Sequence, residues 1–128
     1  MSSTIHQEVV FPTSPQRVYE ALTDSKQFSA VAGAPAEIGR EAGASFSSFG
    51  GMITGRHVEL SPNQRIVQAW RAGNWDEGVY SIVRFDLKAQ GAQTLLTFEH
   101  TGVPVEHLAH LASGWQKMYW DNLQSYLV

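Results

Sequence analysis

Between residues 36 and 101 the sequence contains six short segments with strand character, separated by turns that carry Gly, Pro or Asn. Short turns between consecutive strands require antiparallel pairing, because a parallel pair needs a crossover of a dozen or more residues. The predicted strands are 36–41, 45–49, 52–60, 65–71, 79–88 and 93–101. Half of the chain is therefore expected to form one antiparallel sheet.

A long amphipathic helix is predicted directly after these strands. Apolar residues recur at three- and four-residue steps through 106–128, which is typical of a helix that packs on a sheet. Trp115 is central in this apolar stripe, flanked by Leu111 and Met118, and should be buried against the strands. Gly114 inside the helix indicates a close approach to the sheet or a bend.

The N-terminal part supplies one more strand and two short helices. Residues 4–11 form the predicted strand, after which Ser14 can cap a helix that begins at Pro15. Asp24 can cap a second short helix that ends before Pro35. The predicted fold class is α+β, with an antiparallel sheet of about seven strands curved around the long C-terminal helix and two short helices between strands one and two. Residues 1–128 are expected to form a single domain.

Composition excludes several classes of function. The chain has no cysteine, which removes disulfides, thiol catalysis and Cys-ligated metals. Its net charge is −3 and it has no basic run, so neither nucleic acid nor a membrane is an expected partner. No signal peptide and no apolar stretch of about 18 residues is visible, and a cytoplasmic location is expected.

Four polar residues near the last strand invite a metal-site interpretation. His100, Glu106, His107 and His110 are close in sequence, but their spacing matches no zinc-binding motif. An exposed, polar helix start explains them better than a metal site does. Gly50-Gly51 is a turn signal and does not open a helix as a phosphate-binding loop would. We therefore predict no metal and no cofactor.

His100 is the main candidate for acid–base catalysis, ahead of Glu99 and of His57 or Arg56 on a middle strand. It shares strand parity with Leu96 and Phe98, so its side chain should point toward the C-terminal helix. Glu99 alternates to the opposite face, and no Gly-x-Ser-x-Gly frame is present. The alternative is a histidine at the edge of the core, bonded to a backbone carbonyl or water. The lack of a partner favours this alternative over catalysis.

The aromatic residues leave two interpretations open. They can form a solid core, or several can line a cavity with a few polar anchors, as in most ligand pockets. Small residues such as Gly55, Ser81 and Ala112 would enlarge such a cavity. The predicted ligand-binding residues are Phe46, Ser48, Gln68, Trp70, Trp75, Tyr80, Val83, Phe85, Phe98, His100, Trp115 and Tyr119.

Several segments, taken in order, resemble a known family. They are Thr13-Ser14-Pro15, Ala34-Pro35-Ala36, Gly43-Ala44-Ser45-Phe46, Gly51 to Gly55, Trp70-Arg71, Trp75-Asp76-Glu77-Gly78 and Gly114-Trp115-Gln116-Lys117-Met118-Tyr119. The sequence resembles proteins like the C-terminal domain of the activator of the 90-kilodalton heat-shock protein ATPase, in the START-like (SRPBCC) superfamily. The resemblance implies the helix-grip fold. It also implies a binder of small apolar molecules, a chaperone-associated domain or, in a minority of relatives, an enzyme.

The sequence departs from this family in one segment. Many relatives carry a Trp near the end of the second helix, where this chain has Phe28-Ser29-Ala30-Val31. In the eukaryotic co-chaperone, ATPase stimulation is linked to a separate N-terminal domain, so the resemblance does not predict stimulation by these 128 residues. Three functions remain open: binding of a small apolar or amphipathic ligand between sheet and helix, interaction with a chaperone, and cyclase- or dehydratase-like catalysis through His100.

Overall fold

A computed structural model describes residues 4–127 of the chain. The strands are β1 Ile5–Phe11, β2 Glu37–Ile38, β3 Ser45–Ser48, β4 Ile53–Ser61, β5 Arg65–Ala72, β6 Ser81–Gln90 and β7 Gln93–Thr101. The helices are α1 Pro15–Thr23, α2 Ser25–Ala32, α3 Leu108–Gly114 and α4 Asp121–Leu127. Helical turns of other types span Phe49–Gly51, Val105–His107 and Trp115–Trp120.

The seven strands form one antiparallel sheet in the order β1-β7-β6-β5-β4-β3-β2. Consecutive strands pair with each other from β2 to β7, and β1 closes the far edge against β7. Alternate residues of β6 are buried, as the sequence pattern predicted for Ser81, Val83, Phe85 and Leu87. The predicted α+β helix-grip fold is therefore confirmed. The strand predicted at 36–41 is shorter, because only Glu37–Ile38 pairs with β3.

Local hydrogen bonds explain where the two short helices begin and end. Ser14 Oγ accepts the Arg17 backbone N–H at 3.4 Å, and Pro15 takes the first helical position. Asp24 accepts the Gln27 backbone N–H at 2.9 Å and so caps α2. α2 ends at Gly33, whose φ of 69° is left-handed and suits glycine. The short linker between α1 and α2 leaves both helices on the same face of the sheet.

The predicted single helix over 106–128 is interrupted, and this is a difference between prediction and structure. A 3₁₀ turn precedes α3, and a π-helical turn, Trp115–Trp120, joins α3 to α4. Because a π-helix bonds residue i to i+5, it brings Trp120 above Trp115, and their rings stack with centroids 5.7 Å apart. The wider turn lets Trp115, Tyr119 and Trp120 all be buried on the sheet side.

Trp115 lies at the centre of an aromatic core. Its ring centroid is 4.3 Å from that of Phe98 and 4.1 Å from that of Tyr119, and only 2% of Trp115 is exposed. The burial predicted for Trp115 is therefore confirmed. Within residues 4–127 no helix has the length and apolar character needed to cross a membrane.

The first half of the C-terminal helix is packed less closely than the sequence pattern suggested. α3 contains no buried residue, and Met118, expected in the buried stripe, is 45% exposed. Gly114 does not mark a close approach, because a Cβ there would meet nothing within 4 Å. The sheet does not cover α3 completely, so a space stays open between α3 and the ends of β4 and β5.

Candidate functional site

The centre of the molecule, where a ligand cavity was expected, holds only a small void. Its volume is about 20 Å³, which is sufficient for one water molecule. Small residues have not enlarged it: a Cβ on Gly55 would collide with the backbone oxygen of Ala69 and the ring of Phe46. The void is lined by Leu22, Phe28, Ile38, Phe46, Ser48, Gln68, Phe85 and Tyr119.

Three buried polar groups converge beside this void. The Ser48 hydroxyl and the Trp70 indole N–H make no hydrogen bond within the part of the chain that the structure describes. Burial raises the pKa of the Tyr119 hydroxyl, and the neighbouring Trp70 N–H and Ser48 hydroxyl partly oppose that rise without reaching hydrogen-bond geometry. An unsatisfied buried hydroxyl costs stability, so this cluster is a weak point of the core.

His100 is completely buried, and both of its ring nitrogens are occupied by side chains. Trp115 Nε1 donates to His100 Nδ1 at 3.1 Å, and His100 Nε2 lies 2.7 Å from Ser81 Oγ. Ser81 Oγ in turn donates to the Trp70 carbonyl at 2.9 Å. Because Nδ1 accepts and the Ser81 proton is used elsewhere, the network assigns the neutral Nε2–H tautomer. The partners are side chains rather than the backbone carbonyl or water expected from the sequence.

This hydrogen-bond network gives His100 a structural role in the core. Burial lowers the pKa of His100 to about 3, so the ring stays neutral near pH 7. With Nδ1 and Nε2 both engaged, the ring offers no free position to a ligand. His100 therefore joins β5, β6, β7 and the C-terminal helix through one chain of hydrogen bonds.

A second buried imidazole, His57, belongs to the opposite half of the sheet. Its Nε2 bonds the Gly39 carbonyl at 2.8 Å, and its Nδ1 lies 3.5 Å from the Gln68 amide nitrogen. Burial lowers the pKa of His57, while the Gly39 carbonyl raises it by a smaller amount. The ring of Phe46 stacks on it at 5.7 Å. Gln68, predicted as a ligand anchor, is thus a neighbour of a core histidine.

A separate open groove of about 520 Å³, with a mostly apolar wall, lies at one end of the sheet. Its walls are the 3₁₀ turn after β3, the adjoining ends of β4 and β5, the loop after β5, and the C-terminal helix. We call this space the end groove. It is lined by Phe49, Met52, Ile53, Trp70, Ala72, Asn74, Trp75, His107, His110, Leu111, Ser113, Gly114, Trp115, Lys117, Met118 and Tyr119.

Aromatic contacts and one arginine give the end groove its shape. The ring of Trp75 lies edge-on to Trp70 at 5.7 Å and stacks on His107 at 6.0 Å, so the loop after β5 is held against the helix side. Arg71 donates to the carbonyls of Trp75 at 2.8 Å and Asp76 at 3.1 Å. These contacts fix the loop that carries Trp75, and most of the resulting wall is apolar.

The structure divides the predicted ligand-binding residues among four places. Trp70, Trp75, Trp115 and Tyr119 line the end groove. Phe46, Ser48, Gln68 and Phe85, again with Tyr119, line the small interior void. Val83, Phe98 and His100 are buried in the core. Tyr80 is 54% exposed beside the outer face of the sheet, where the Arg71 guanidinium lies 5.8 Å from its ring.

Sequence reasoning missed several residues of the end groove. Met52, Lys117 and His110 were not proposed as ligand contacts, although all three line it. Leu111 and Met118 were assigned to the apolar stripe of the helix, which was assumed to be covered by the sheet. The signal available in the sequence was the pair of apolar residues, Phe49 and Met52, that flanks the Gly50-Gly51 turn. In the structure Met52 is 64% exposed.

The predicted polar cluster near the last strand is not brought together. His100 is buried in the core, whereas His107 stacks on Trp75 at the groove. Among residues 4–127 no three His, Asp or Glu side chains lie close enough to share a metal ion. The described part of the chain offers no ready-made metal centre.

Comparison with known families gives a clear assignment. Residues 12–128 match the family described as activator of Hsp90 ATPase homolog 1-like protein. The chain belongs to this family. Its fold and its order of motifs had already indicated the same relationship.

Curated relatives are longer proteins. The chain is 30% identical over 123 residues to the mouse activator of 90 kDa heat shock protein ATPase homolog 2, covering 96% of this chain and 37% of the relative. It is 28% identical over 114 residues to human homolog 1, covering 89% and 34%. The chain therefore spans about a third of the length of these relatives.

Solved structures support the fold over the whole described chain. An HSP90 activator from Plasmodium falciparum superposes with a TM-score of 0.88 and 26% identity, covering 99% of this chain and 96% of that one. The Aha1 dimer from Colwellia psychrerythraea gives a TM-score of 0.84 at 19% identity, covering 98% and 96%. At that identity the second likeness concerns the fold alone.

Proposed function

We propose that this domain is a binding module that holds a small apolar or amphipathic ligand in the end groove. The observation that carries the proposal is the groove itself: about 520 Å³, open to solvent, with a wall that is mostly apolar. Ligand pockets commonly have volumes of about 300–1,000 Å³ and walls of this kind. The small interior void is excluded as the site by its size.

The wall of the end groove supports binding in two ways. Trp70, Trp75 and Trp115 form a rigid backing to the groove, but each is no more than 6% exposed and offers little free surface of its own. The half-buried Phe49 and Leu111 supply accessible apolar surface, whose burial against a ligand is favourable. Met52 and Met118, both well exposed, can adapt to ligands of different shapes. Leaving such side chains exposed together is unfavourable unless another molecule covers them at least part of the time.

A neutral fluorescent probe tests the proposal. N-phenyl-1-naphthylamine fluoresces weakly in water and strongly in an apolar site, and it should bind the wild-type chain with one saturable phase. Ser113→Trp places a large side chain at an exposed position of the groove wall without changing charge. We expect this variant to weaken probe binding by about tenfold, which corresponds to about 1.4 kcal/mol.

The matched control is Ala109→Trp on the same helix, α3. Ala109 is exposed and does not line the end groove. Probe affinity should be unchanged in this variant. Equal loss in Ala109→Trp and Ser113→Trp, or absence of saturable binding by the wild-type chain, would contradict ligand binding in the groove.

Interaction with a chaperone is a second candidate, favoured by the family and by the relatives' names. Mouse homolog 2 and human homolog 1 are both called activators of the 90 kDa heat shock protein ATPase. Because this chain spans about a third of their length, contact with that chaperone is proposed here and stimulation of its ATPase is not.

Calorimetric titration of the 90 kDa heat shock protein with this chain tests the contact directly. We expect binding with a Kd below about 50 μM and no change in the chaperone's ATPase rate. No heat of binding at that concentration would refute the interaction. Repeating the titration with the Ser113→Trp and Ala109→Trp variants shows whether the chaperone uses the end groove.

A further inference from the structure

The charged and titratable residues that line the end groove are mostly basic. Its ionisable lining residues are Lys117, His107, His110 and the buried Tyr119, and no Asp or Glu lies among the described residues that form the wall. The remaining polar contributions come from Asn74 and Ser113. Apart from Tyr119, whose pKa is raised by burial so that its hydroxyl stays neutral, every ionisable group on the wall can carry a positive charge or donate an N–H bond.

This bias runs against the overall charge of the molecule. The chain has 12 acidic and 9 basic residues and a net charge of −3. Acidic residues occur next to the wall in sequence, at Asp76 and Glu106, but neither lines the groove. Both are exposed, so they lie where water screens them. The wall of the groove therefore carries basic residues and no carboxylate among the described residues.

Lys117 is the most suitable anchor for an anion. It lies on the π-helical turn between Trp115 and Tyr119, its side chain is exposed at the groove, and it forms no ion pair with the described carboxylates. Its ammonium group is therefore available to a ligand. His107 and His110 lie up to ten residues earlier on the same side of the helix and can supply further N–H donors.

We propose that the preferred ligand of the end groove is an amphiphile with one anionic head group, such as a carboxylate, and an apolar body. This inference rests on the proposed ligand-binding function. The head group contacts the Lys117 ammonium at the open edge, while the body lies against Leu111, Met52 and Met118, which line the groove and expose apolar surface. A partly buried charge-assisted contact favours the anion over a neutral analogue of the same shape.

Matched ligand pairs separate head group from body. Dodecanoate and dodecanol share an alkyl body, and 1-naphthaleneacetate and 1-naphthaleneethanol share an aromatic one. Each is titrated, below its aggregation concentration, against the wild-type chain by displacement of N-phenyl-1-naphthylamine. We expect the anion of each pair to bind about three to ten times more tightly than the alcohol. The pair with the higher affinity shows whether the source is a fatty acid or an aromatic acid.

Two lysine variants localise the effect. Lys117→Gln should abolish the preference for the anion, so that the acid and the alcohol of each pair bind with equal affinity. Lys88→Gln, an exposed lysine of β6 away from the groove, should behave like wild type. Raising the salt concentration should reduce the anion preference in wild type and in Lys88→Gln.

The failure of this inference is distinguishable from the failure of the proposed function. If alcohols and anions bind equally, the groove binds ligands without preferring an anionic head group. If Lys117→Gln keeps the preference for anions, Lys117 does not bind the head group. Either result contradicts the inference and leaves the proposed function standing. Binding of dodecylamine more tightly than dodecanoate would contradict the inference in the same way. If the probe binds but none of the five compounds displaces it, the anionic amphiphile is wrong and the proposed function stands. If the probe itself does not bind, both proposals fall.

Discussion

His100 is held in its neutral form by a network that has no room for a second proton. Trp115 donates to its Nδ1, and Ser81 already gives its own proton to the Trp70 carbonyl. The pKa of His100 is lowered to about 3 by burial, whereas an unfolded histidine titrates near 6.5. Between these two values the unfolded chain binds more protons than the folded chain, so stability falls as pH falls.

We expect the free energy of unfolding to drop by about 2 kcal/mol from His100 between pH 6.5 and pH 5. His57, whose pKa burial also lowers, adds a loss of the same sign. Urea unfolding at the two pH values measures the drop. His100→Gln removes the titrating group, so its stability should fall less over this interval. Parallel pH dependences in wild type and His100→Gln would contradict the assigned neutral ring.

Two buried serines provide a matched test of the hydrogen-bond assignments. Ser81 bonds both His100 and the Trp70 carbonyl, whereas Ser48 has no partner in the described part of the chain. We expect Ser81→Ala to cost about 1–3 kcal/mol and Ser48→Ala to cost nothing or to stabilise slightly. Urea unfolding of the two variants measures the difference. Equal losses would mean that the Ser48 hydroxyl is satisfied, with a water in the small void as its partner.

The C-terminal helix differs in packing along its length. Trp115→Ala removes a side chain that contacts Phe98, Tyr119 and Trp120, and we expect it to lower the free energy of unfolding by about 3–5 kcal/mol. Met118→Ala, three residues later at the groove edge, should cost less than about 1 kcal/mol because that side chain is already half exposed. Denaturant unfolding would disprove this packing if both variants lost the same stability.

Substitution by alanine should change the stability of the chain in opposite directions at Gly114, in the C-terminal helix, and at Gly55, in β4. Gly114 is helical and a Cβ there meets nothing within 4 Å, so Gly114→Ala should stabilise the chain by about 0.5–1 kcal/mol. Gly55 lies directly under the Ala69 carbonyl and the Phe46 ring, so Gly55→Ala should destabilise it by about 1–3 kcal/mol or more. Thermal melting of both variants checks the pair. A stabilising Gly55→Ala would contradict the close packing of the Ala69 carbonyl and the Phe46 ring on Gly55.

Periodicity explains why the elements were predictable and the helix interruption was not. The buried residues of β6 alternate strictly, and Ser14 and Asp24 cap α1 and α2 as their residue types indicated. The π-helical turn depends on fitting both Trp115 and Trp120 against Phe98, with centroids at 4.3 and 5.2 Å. That requirement comes from a strand distant in sequence, so no pattern within the helix reveals it.

The sequence predicted the fold and the family of the whole molecule correctly. It placed the candidate ligand cavity in the interior, whereas the candidate groove lies at the end of the sheet. The sequence identified which aromatic residues face inward, but not how completely they fill the interior. Phe46 occupies the space left by Gly55, and His100 engages Ser81, so two of the small residues that should have enlarged a cavity are used by their neighbours. The end groove stays open because α3 extends beyond the part of the helix that the sheet covers.

The end groove thus combines an apolar wall with basic residues at its edge. The four tryptophans of the chain make ligand binding there directly observable, because each indole N–H gives a separate resonance in a ¹⁵N spectrum. Trp70, Trp75 and Trp115 line the groove, whereas the Trp120 indole donates to Gln7 at 2.6 Å inside the core.

The most direct test is a ¹⁵N titration of the wild-type chain with 1-naphthaleneacetate. We predict saturable shifts of the Trp75, Trp70 and Trp115 indole resonances, with Trp75 among the largest and Trp120 nearly unchanged. Shifts of all four indoles to the same extent, or of none at saturating ligand, would contradict binding in the end groove.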